Sequence, residues 1–241
     1  MPRFGRKIRF SLRLSFLLLT LFCIWFGWLS SRAYNQRVAV EKIEKLGGKV
    51  RRNNDDHDYG TWYRMKTAPT APKFVRQILG DDYFYSVISV DLTDVEETQM
   101  HEALRPIENL ISIRFLDLHY QPLGDKDLSF IGKLTLIKHL DLSNSNLSDD
   151  QLANLAELNQ LVTLSLSGNN ISVDGIRDAM IADKSCLKML ELDDTGVTDD
   201  IFKMLNGIDD LEILSVFGTQ VTTDAINNFN SSCPAVDVLR D

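Results

Sequence analysis

Cysteine is scarce in this chain, and its positions fit neither a metal site nor a disulfide framework. The 241 residues contain three cysteines, Cys23, Cys186 and Cys233, with no close spacing among them. Cys186 and Cys233 each precede a copy of a repeat described below and lie two copies apart, which at about 4.8 Å per strand is roughly 10 Å. That separation is too long for a disulfide bond, so we expect buried, unreactive thiols.

Motifs for catalysis and for phosphate binding are also missing. The sequence has no Gly-rich phosphate-binding loop, no zinc-spaced set of cysteines and histidines, and no G-x-S-x-G nucleophile motif. We therefore predict a protein that is not an enzyme and that needs no metal or cofactor.

Positive charge is depleted in the second part of the chain. Up to Tyr85 there are 16 Lys and Arg against 7 Asp and Glu, a net charge of +9, whereas from Ser86 onward there are 10 against 27, a net charge of −17. Nucleic-acid binding depends on basic residues that neutralise phosphates. The acidic part is better suited to a basic protein surface or a cation.

One uncharged run is long enough to cross a membrane, and it lies near the N-terminus. Arg13 and Arg32 enclose 18 uncharged residues, which as a helix span roughly 27 Å, just enough for the hydrocarbon core of a bilayer. Trp25 and Trp28 near the far end are typical of a membrane interface. The run is either a retained signal anchor or a cleaved signal peptide. Its length and the poor small-x-small site at residues 31–33 favour retention.

These features divide the chain into four parts. We predict a basic cytoplasmic N-terminus over residues 1–13, a transmembrane signal anchor over 14–31, a juxtamembrane helix, linker and N-terminal cap over 32–86, and a repeat array over 87–241. The basic cluster before the span places the N-terminus in the cytoplasm and the array on the extracytoplasmic side.

The predicted cap contains two short helices. An amphipathic helix over residues 36–46 is expected to end at Gly47-Gly48, and residues 49–52 could form a strand. A second helix, opened by Pro72 and ended by Gly80, is expected to lay its apolar residues over the end of the array. A solenoid needs such a cover because an open end exposes its core.

From residue 87 onward, one pattern recurs with a period of 24 to 26 residues. Its clearest copy, Ile137 to Leu152, carries apolar residues at positions one, four, six and eleven and then a Ser-Asp helix start. The apolar residue at position four marks each copy: Val90, Leu116, Leu140, Leu164, Leu190, Leu214 and Leu239. Each copy is therefore expected to add one strand and one helical return, with its apolar positions turned inward.

This pattern resembles the leucine-rich repeat superfamily. The resemblance implies an α/β fold, a short right-handed horseshoe with a parallel sheet on the concave face and helices on the convex face, here preceded by one transmembrane helix. Cysteines before two copies resemble the cysteine-containing repeat class, and the arrangement of basic start, apolar span, Leu46-Gly-Gly and Leu79-Gly-Asp-Asp resembles bacterial membrane-anchored repeat proteins. The family implies protein binding rather than a reaction. No F-box precedes the array, so a ubiquitin-ligase role does not carry over.

Positions three, five and seven of each copy are expected to face the concave side. Position five is notable because Asp91, Asp117 and Asp141 would lie on adjacent strands, where each contact costs on the order of 0.9 kcal/mol in water. His119, His139 and Ser143 faintly suggest hydrolytic chemistry, but an open sheet does not enclose a pocket. The candidate protein-binding residues on this face are Asp91, Phe115, Asp117, His119, His139, Asp141, Ser143, Met189, Glu191, Asp193, Ile213 and Phe217.

The sequence thus predicts a single-pass membrane protein whose repeats bind another protein, one with a basic surface. An alternative is a structural envelope protein that self-associates. The array ends at Leu239-Arg240-Asp241, part-way into a strand, and an unpaired sheet edge invites edge-to-edge association.

Overall fold

The computed structural model describes residues 12–53, 72–179, 181, 185–205 and 208–240. Nearly all of the predicted basic N-terminus and most of the predicted linker lie outside these residues.

Within these residues, eight strands form one sheet and follow one another in chain order. They are β1 Lys49–Arg52, β2 Val87–Asp91, β3 Phe115–Asp117, β4 His139–Asp141, β5 Thr163–Ser165, β6 Met189–Glu191, β7 Ile213–Ser215 and β8 Asp237–Leu239. Strands β2 to β8 are parallel, and from β2 to β7 each position of one copy pairs with the same position of the next, as Leu116 does with Leu140. The predicted register is therefore confirmed up to β7. In β8 the prediction is wrong by one residue, because Val238 and not Leu239 pairs with Leu214. Val238 packs against the core, whereas Leu239 is 37% exposed.

Strand β1 departs from the predicted parallel sheet because it pairs with β2 in the antiparallel direction. β1 does not belong to a repeat. The chain reaches it from the preceding helix through Gly47, whose φ of +97° suits glycine, and therefore enters the sheet from the opposite end. The sheet thus gains a strand from the cap.

Eight helices lie between the strands of the described chain or precede them. They are α1 Leu12–Lys45, α2 Lys73–Leu79, α3 Met100–Leu104, α4 Asp125–Ile131, α5 Asp149–Leu152, α6 Val173–Asp178, α7 Ile201–Leu205 and α8 Thr223–Ser232, with 3-10 turns at Asp81–Tyr83, Glu97–Gln99, Arg105–Asn109 and Ala153–Leu155. From α3 onward each return carries one short helix, which leaves one face of the sheet open.

The core is a continuous stack of the apolar residues at positions one, four, six and eleven. In the clearest copy, Ile137, Leu140, Leu142 and Leu147 are all buried, as the pattern predicted. The buried residues of all copies form one cluster. The chain is therefore a leucine-rich repeat solenoid preceded by a long apolar helix.

Neighbouring copies are also joined on the helical side. The carboxylate of Asp149 accepts hydrogen bonds from the backbone N–H and the hydroxyl of Ser172, at 2.7 and 2.6 Å. Asp199 accepts the same pair of bonds from Thr222, at 2.7 and 2.9 Å. Asp149 and Asp199 thus each connect one helical return to the next.

Helix α1 is one continuous helix of 34 residues, not an anchor followed by a separate amphipathic helix. Its last turns carry Ala39, Val40 and Ile43 into the core, so these residues cover the first repeat. Its apolar part remains exposed. Within the described chain, α1 is the one helix long and apolar enough to cross a membrane, a test that signal sequences also pass.

Two expectations about the cap and the cysteines are wrong. Helix α2 forms at the predicted place between Pro72 and Gly80, but it buries none of its residues, so it does not cover the array. Cys186 is exposed and Cys233 is half-buried, and both are free thiols. Each cysteine precedes the first buried residue of its copy, so Cys186 stays in solvent and Cys233 only packs against the edge of the core.

Candidate functional site

An acidic row crosses the open face of the sheet. Asp91, Asp117 and Asp141 are direct neighbours in the register of β2, β3 and β4. Each carboxylate also accepts a hydrogen bond from the backbone N–H two residues later, at 3.0 Å in Asp91, 3.2 Å in Asp117 and 2.9 Å in Asp141. These bonds end the strands and stabilise the aspartates against their mutual repulsion.

Two basic side chains contact the acidic row. Lys49 Nζ lies 3.9 Å from Asp91 and 2.5 Å from Asp94, and His119 Nδ1 lies 2.6 Å from Asp117. Partial burial lowers the pKa of His119, but the hydrogen bond to Asp117 and the nearby carboxylates outweigh it, so the pKa is raised above 6.5. Basic partners therefore compensate the row at Asp91, its first residue, and at Asp117, its middle residue.

An aromatic stack lies beside the acidic row, at position three. The rings of Phe115 and His139 are 4.3 Å apart at their centroids and nearly parallel, at 5°. His139 Nδ1 also contacts Thr163 Oγ1 at 2.8 Å. Burial and the nearby charge of Lys138 lower the pKa of His139 to about 4. The imidazole is therefore neutral at physiological pH and behaves as part of an apolar surface.

Position seven forms a polar rim. Ser143 Oγ is hydrogen-bonded to Asp141 and lies 3.2 Å from Ser165 Oγ. Asp193 accepts bonds from Ser215 Oγ at 2.6 Å and from the backbone N–H of Phe217 at 2.8 Å. Much of this rim consequently serves to hold adjacent turns together.

A shallow cavity of about 250 Å³ opens on the concave face, the sheet face that carries positions three, five and seven. Seven of the twelve candidate residues line it: Asp91, Phe115, Asp117, His139, Asp141, Met189 and Glu191. His119, Ser143, Asp193, Ile213 and Phe217 lie outside its lining. The structure thus brings together the acidic row and the aromatic stack, and separates them from the candidates on β7 and on the polar rim.

Seven lining residues were not among the candidates: Ser89, Leu116, Leu140, Leu164, Thr163, Ser165 and Arg51. Thr163 and Ser165 continue positions three and five on β5, and Arg51 reaches the cavity from β1. The repeat pattern could have indicated the first two, since they share the rows. Arg51 comes from outside the array, so no repeat signal points to it.

Ser143 and His119 each have a carboxylate partner on this face. Ser143 Oγ has a carboxylate and a second hydroxyl as its partners, which is not the nucleophile-to-base contact of hydrolytic enzymes. Asp117, His119 and Asp141 hold ligand atoms within 4.8 Å of one another, the one such group found among the described residues. His119 already pairs with Asp117, and that ion pair accounts for their closeness.

Comparison with known proteins gives likenesses in structure but not in sequence. No protein-family model and no curated protein sequence matches the chain. Among solved structures, internalin C2 of Listeria monocytogenes is similar with 26% identity and a TM-score of 0.40, over 56% of this chain and 65% of that one. TLR13, in a TLR13–ssRNA13 complex, is similar with 18% identity and a TM-score of 0.43, over 56% of this chain and 20% of that one.

A third likeness is the tropomodulin C-terminal domain of Caenorhabditis elegans, with 11% identity and a TM-score of 0.44, over 58% of this chain and 93% of that domain. The chain thus spans less than two thirds of internalin C2 and a fifth of TLR13. With TM-scores this low, none of these likenesses carries an argument about function. The assignment of the fold rests on the repeat geometry of the chain itself.

Proposed function

We propose that this chain is a membrane-anchored, non-enzymatic module whose concave face binds an extended basic segment of a partner protein. The supporting observation is the row of Asp91, Asp117 and Asp141 beside the stack of Phe115 and His139, in one open cavity. The finer resemblance, to bacterial membrane-anchored repeat proteins with cysteine-containing repeats, is part of this proposal.

The charges and the rings of the concave face together favour a partner segment that carries lysine or arginine side chains. A carboxylate can accept about four hydrogen bonds, so the local turn bonds leave each aspartate with capacity for a partner. The apolar stack can receive the methylene stem of a basic side chain while its charged end meets the acidic row. Neutral His139 adds no repulsion to such a contact.

The binding proposal is tested by replacing Asp91, Asp117 and Asp141 together with asparagine. Asparagine keeps an oxygen that accepts the turn bonds, so the fold is retained while three charges are lost. We expect the affinity for extended Lys- and Arg-rich peptides, measured by calorimetry, to fall by about tenfold or more.

A matched control removes the same charge from the helical side. Asp150, Asp178 and Asp209 are exposed there, and their replacement by asparagine should leave peptide affinity nearly unchanged. Equal losses in both variants would point to nonspecific attraction by the net charge. No loss in the first variant would contradict the concave-face proposal.

The membrane proposal is supported by the exposed apolar part of α1. Large side chains in this part, such as Phe16 and Ile24, are 71% and 65% exposed, which is unfavourable in water and favourable in lipid. We propose that this part is a retained signal anchor, with the N-terminus in the cytoplasm and the array on the extracytoplasmic side.

Alkaline extraction of membranes and protease treatment of intact cells test anchoring and orientation separately. The full-length chain should stay with the lipid at high pH, and external protease should digest the array. A mature N-terminus beyond residue 31, read by mass spectrometry, would contradict retention. Protection of the array from protease in intact cells would contradict the proposed orientation and place the array in the cytoplasm.

Self-association as a structural envelope protein is the second candidate. It is supported by β8, the outermost strand of the described sheet, whose outer edge has no strand partner among the described residues. Such an edge can pair with a second copy. Light scattering of the full chain in detergent at several protein concentrations tests this, and a constant monomer mass would contradict it.

A further inference from the structure

Helix α2 has an apolar face that the solenoid does not use. Phe74 and Ile78 are 65% and 77% exposed, and their spacing of four residues puts them side by side on the helix. Lys73 is exposed at the start of the same helix, and Arg76 lies on its next turn. The helix therefore combines two large apolar side chains with basic residues, as interfacial membrane helices do.

Helix α2 is held close to α1 by the residues that follow it. Asp82 accepts bonds from Gln36 Nε2, Arg37 Nε and Arg52 Nη2, at 3.2, 3.1 and 3.2 Å. Arg76 of α2 itself pairs with Asp81 at 3.3 Å. These bonds fix the end of α2 against the last turns of α1 and against β1.

One ring contact shows which part of α1 lies beside the segment that follows α2. Tyr83 lies 6.5 Å from Phe26, between ring centroids, and Phe26 belongs to the uncharged run. Phe26 precedes Arg32 by six residues, roughly 9 Å along a helix. A bilayer around the uncharged run therefore reaches the level of Tyr83, a residue type typical of the membrane interface. The adjoining α2 lies beside that boundary.

We propose that α2 lies on the bilayer surface, with Phe74 and Ile78 inserted at the level of the lipid headgroups and Lys73 directed to lipid phosphates. This inference rests on the proposed anchoring by α1. With α1 and α2 both at the membrane, the array has two points of contact with the bilayer. The orientation of the concave face relative to the bilayer is then fixed.

Fluorescence quenching by brominated lipids tests this contact in the full chain. Cys23, Cys186 and Cys233 are first replaced by serine, and the protein is reconstituted into vesicles of brominated phosphatidylcholine and phosphatidylglycerol. A fluorophore is attached in separate samples through Gln77→Cys on α2, Ile24→Cys in the uncharged run and Phe217→Cys on the array. We expect quenching at 24 and 77, and none at 217.

Two further variants test which side chains hold α2 in place. Phe74→Ser combined with Ile78→Ser should abolish quenching at 77 and leave quenching at 24. The matched control, Ile111→Ser combined with Leu136→Ser, replaces exposed apolar residues of the array and should change neither.

The outcomes separate this inference from the anchor on which it rests. Quenching at 24 with none at 77 would overturn the contact of α2 and leave the anchor intact. Absence of quenching at 24 would overturn the anchor, and quenching retained at 77 in that sample would support α2 as a surface contact in its own right.

Discussion

At the scale of single residues, Asn169 connects two copies of the repeat. It is buried, at 3% exposure. Its Nδ2 donates to the carbonyls of Leu142 and Leu166, both at 2.8 Å, and its Oδ1 accepts from the N–H groups of Ser145 and Leu147, at 3.1 and 2.9 Å. One side chain thereby satisfies four backbone groups where the chain leaves the sheet.

We predict that Asn169→Ala lowers the free energy of unfolding by about 2 to 4 kcal/mol, because buried backbone groups lose their partners. Denaturant titration of the protein in detergent measures this. The neighbouring Asn170 is exposed, and Asn170→Ala should change stability by less than about 0.5 kcal/mol. Equal effects in the two variants would contradict the assigned role.

Position eight has left-handed backbone geometry in the five copies marked by Leu116, Leu140, Leu164, Leu190 and Leu214. The φ angles are +60° at Tyr120, +54° at Asn144, +69° at Gly168, +53° at Asp194 and +64° at Gly218. Glycine, asparagine and aspartate tolerate this region, so four of these five copies carry a residue type suited to this backbone conformation, and Tyr120 is the exception.

We predict that Gly168→Ala destabilises the protein by about 2 kcal/mol or more. The new Cβ would lie 2.2 Å from Asn144 Oδ1, in addition to the strain at positive φ. Gly124→Ala is the matched control, because its nearest contact is 3.6 Å and its φ is −88°. It should cost less than about 1 kcal/mol, and thermal unfolding compares the two.

The two histidines of the concave face should give stability opposite dependences on pH. His139 has a lowered pKa of about 4 against 6.5, so the unfolded chain takes up its proton first and stability falls as pH drops from 6.5 to about 4. After allowance for partial exposure, the loss is on the order of 2 kcal/mol. His139→Phe keeps the stack and should remove this loss.

His119 provides the contrast within the same experiment. Its raised pKa means that its contribution is complete below 6.5 and is lost as pH rises through the folded-state pKa. His119→Gln should therefore lower stability at acidic pH only. Chemical denaturation at a series of pH values distinguishes the two, and parallel profiles for both variants would contradict these assignments.

At the scale of elements, the junction between α1 and the cap depends on Asp82. Burial raises the pKa of Asp82, but hydrogen bonds from Gln36, Arg37 and Arg52 outweigh it, so the pKa is lowered below 3.8. The charged carboxylate thus stabilises the attachment of α1. This contribution is present above 3.8 and is lost as pH falls through the folded-state pKa.

We predict that Asp82→Asn weakens the attachment of α1 by about 1 to 3 kcal/mol at neutral pH, because the charged acceptor is lost. Hydrogen exchange of the amides of residues 36–45 is the measurement, and their protection should fall. Asp81→Asn, at an exposed residue with one basic partner, should leave that protection nearly unchanged. A loss of protection in the array but not in α1 would contradict this prediction.

At the scale of the whole molecule, charge is separated between the two parts of the chain. The net charge is +9 up to Tyr85 and −17 from Ser86 onward. The basic part includes the proposed membrane-facing residues, and the acidic part includes the concave face. This separation favours anionic lipid at one end and a basic partner at the other.

Binding of a basic peptide to the concave face should consequently depend on salt. The screening length falls from about 10 Å at 0.1 M to about 3 Å at 1 M salt, so we expect slower association and weaker affinity over that range. Stopped-flow kinetics should show the change mainly in the association rate. Affinity that is independent of salt would contradict an electrostatic contribution to binding.

The sequence alone determined the core and the repeat register up to β7, but in β8 it indicated Leu239 where the structure has Val238. Leu140, Leu164 and their counterparts lie at fixed spacing, and the alternation of side chains in a strand then decides which residues are inward and which are outward. The row of Asp91, Asp117 and Asp141 could be predicted for the same reason, since each depends only on its place within its own copy.

Tertiary structure alone decided which side chains of neighbouring rows contact each other and in which direction the first strand enters the sheet. The stack of Phe115 on His139 depends on side-chain conformations 24 residues apart, and the entry of β1 in the antiparallel direction depends on where α1 packs. Local periodicity contains no information on either, because both follow from contacts between distant residues. The tertiary structure also has the apolar run and the first cap helix as one continuous helix, and it leaves every residue of α2 at least partly exposed.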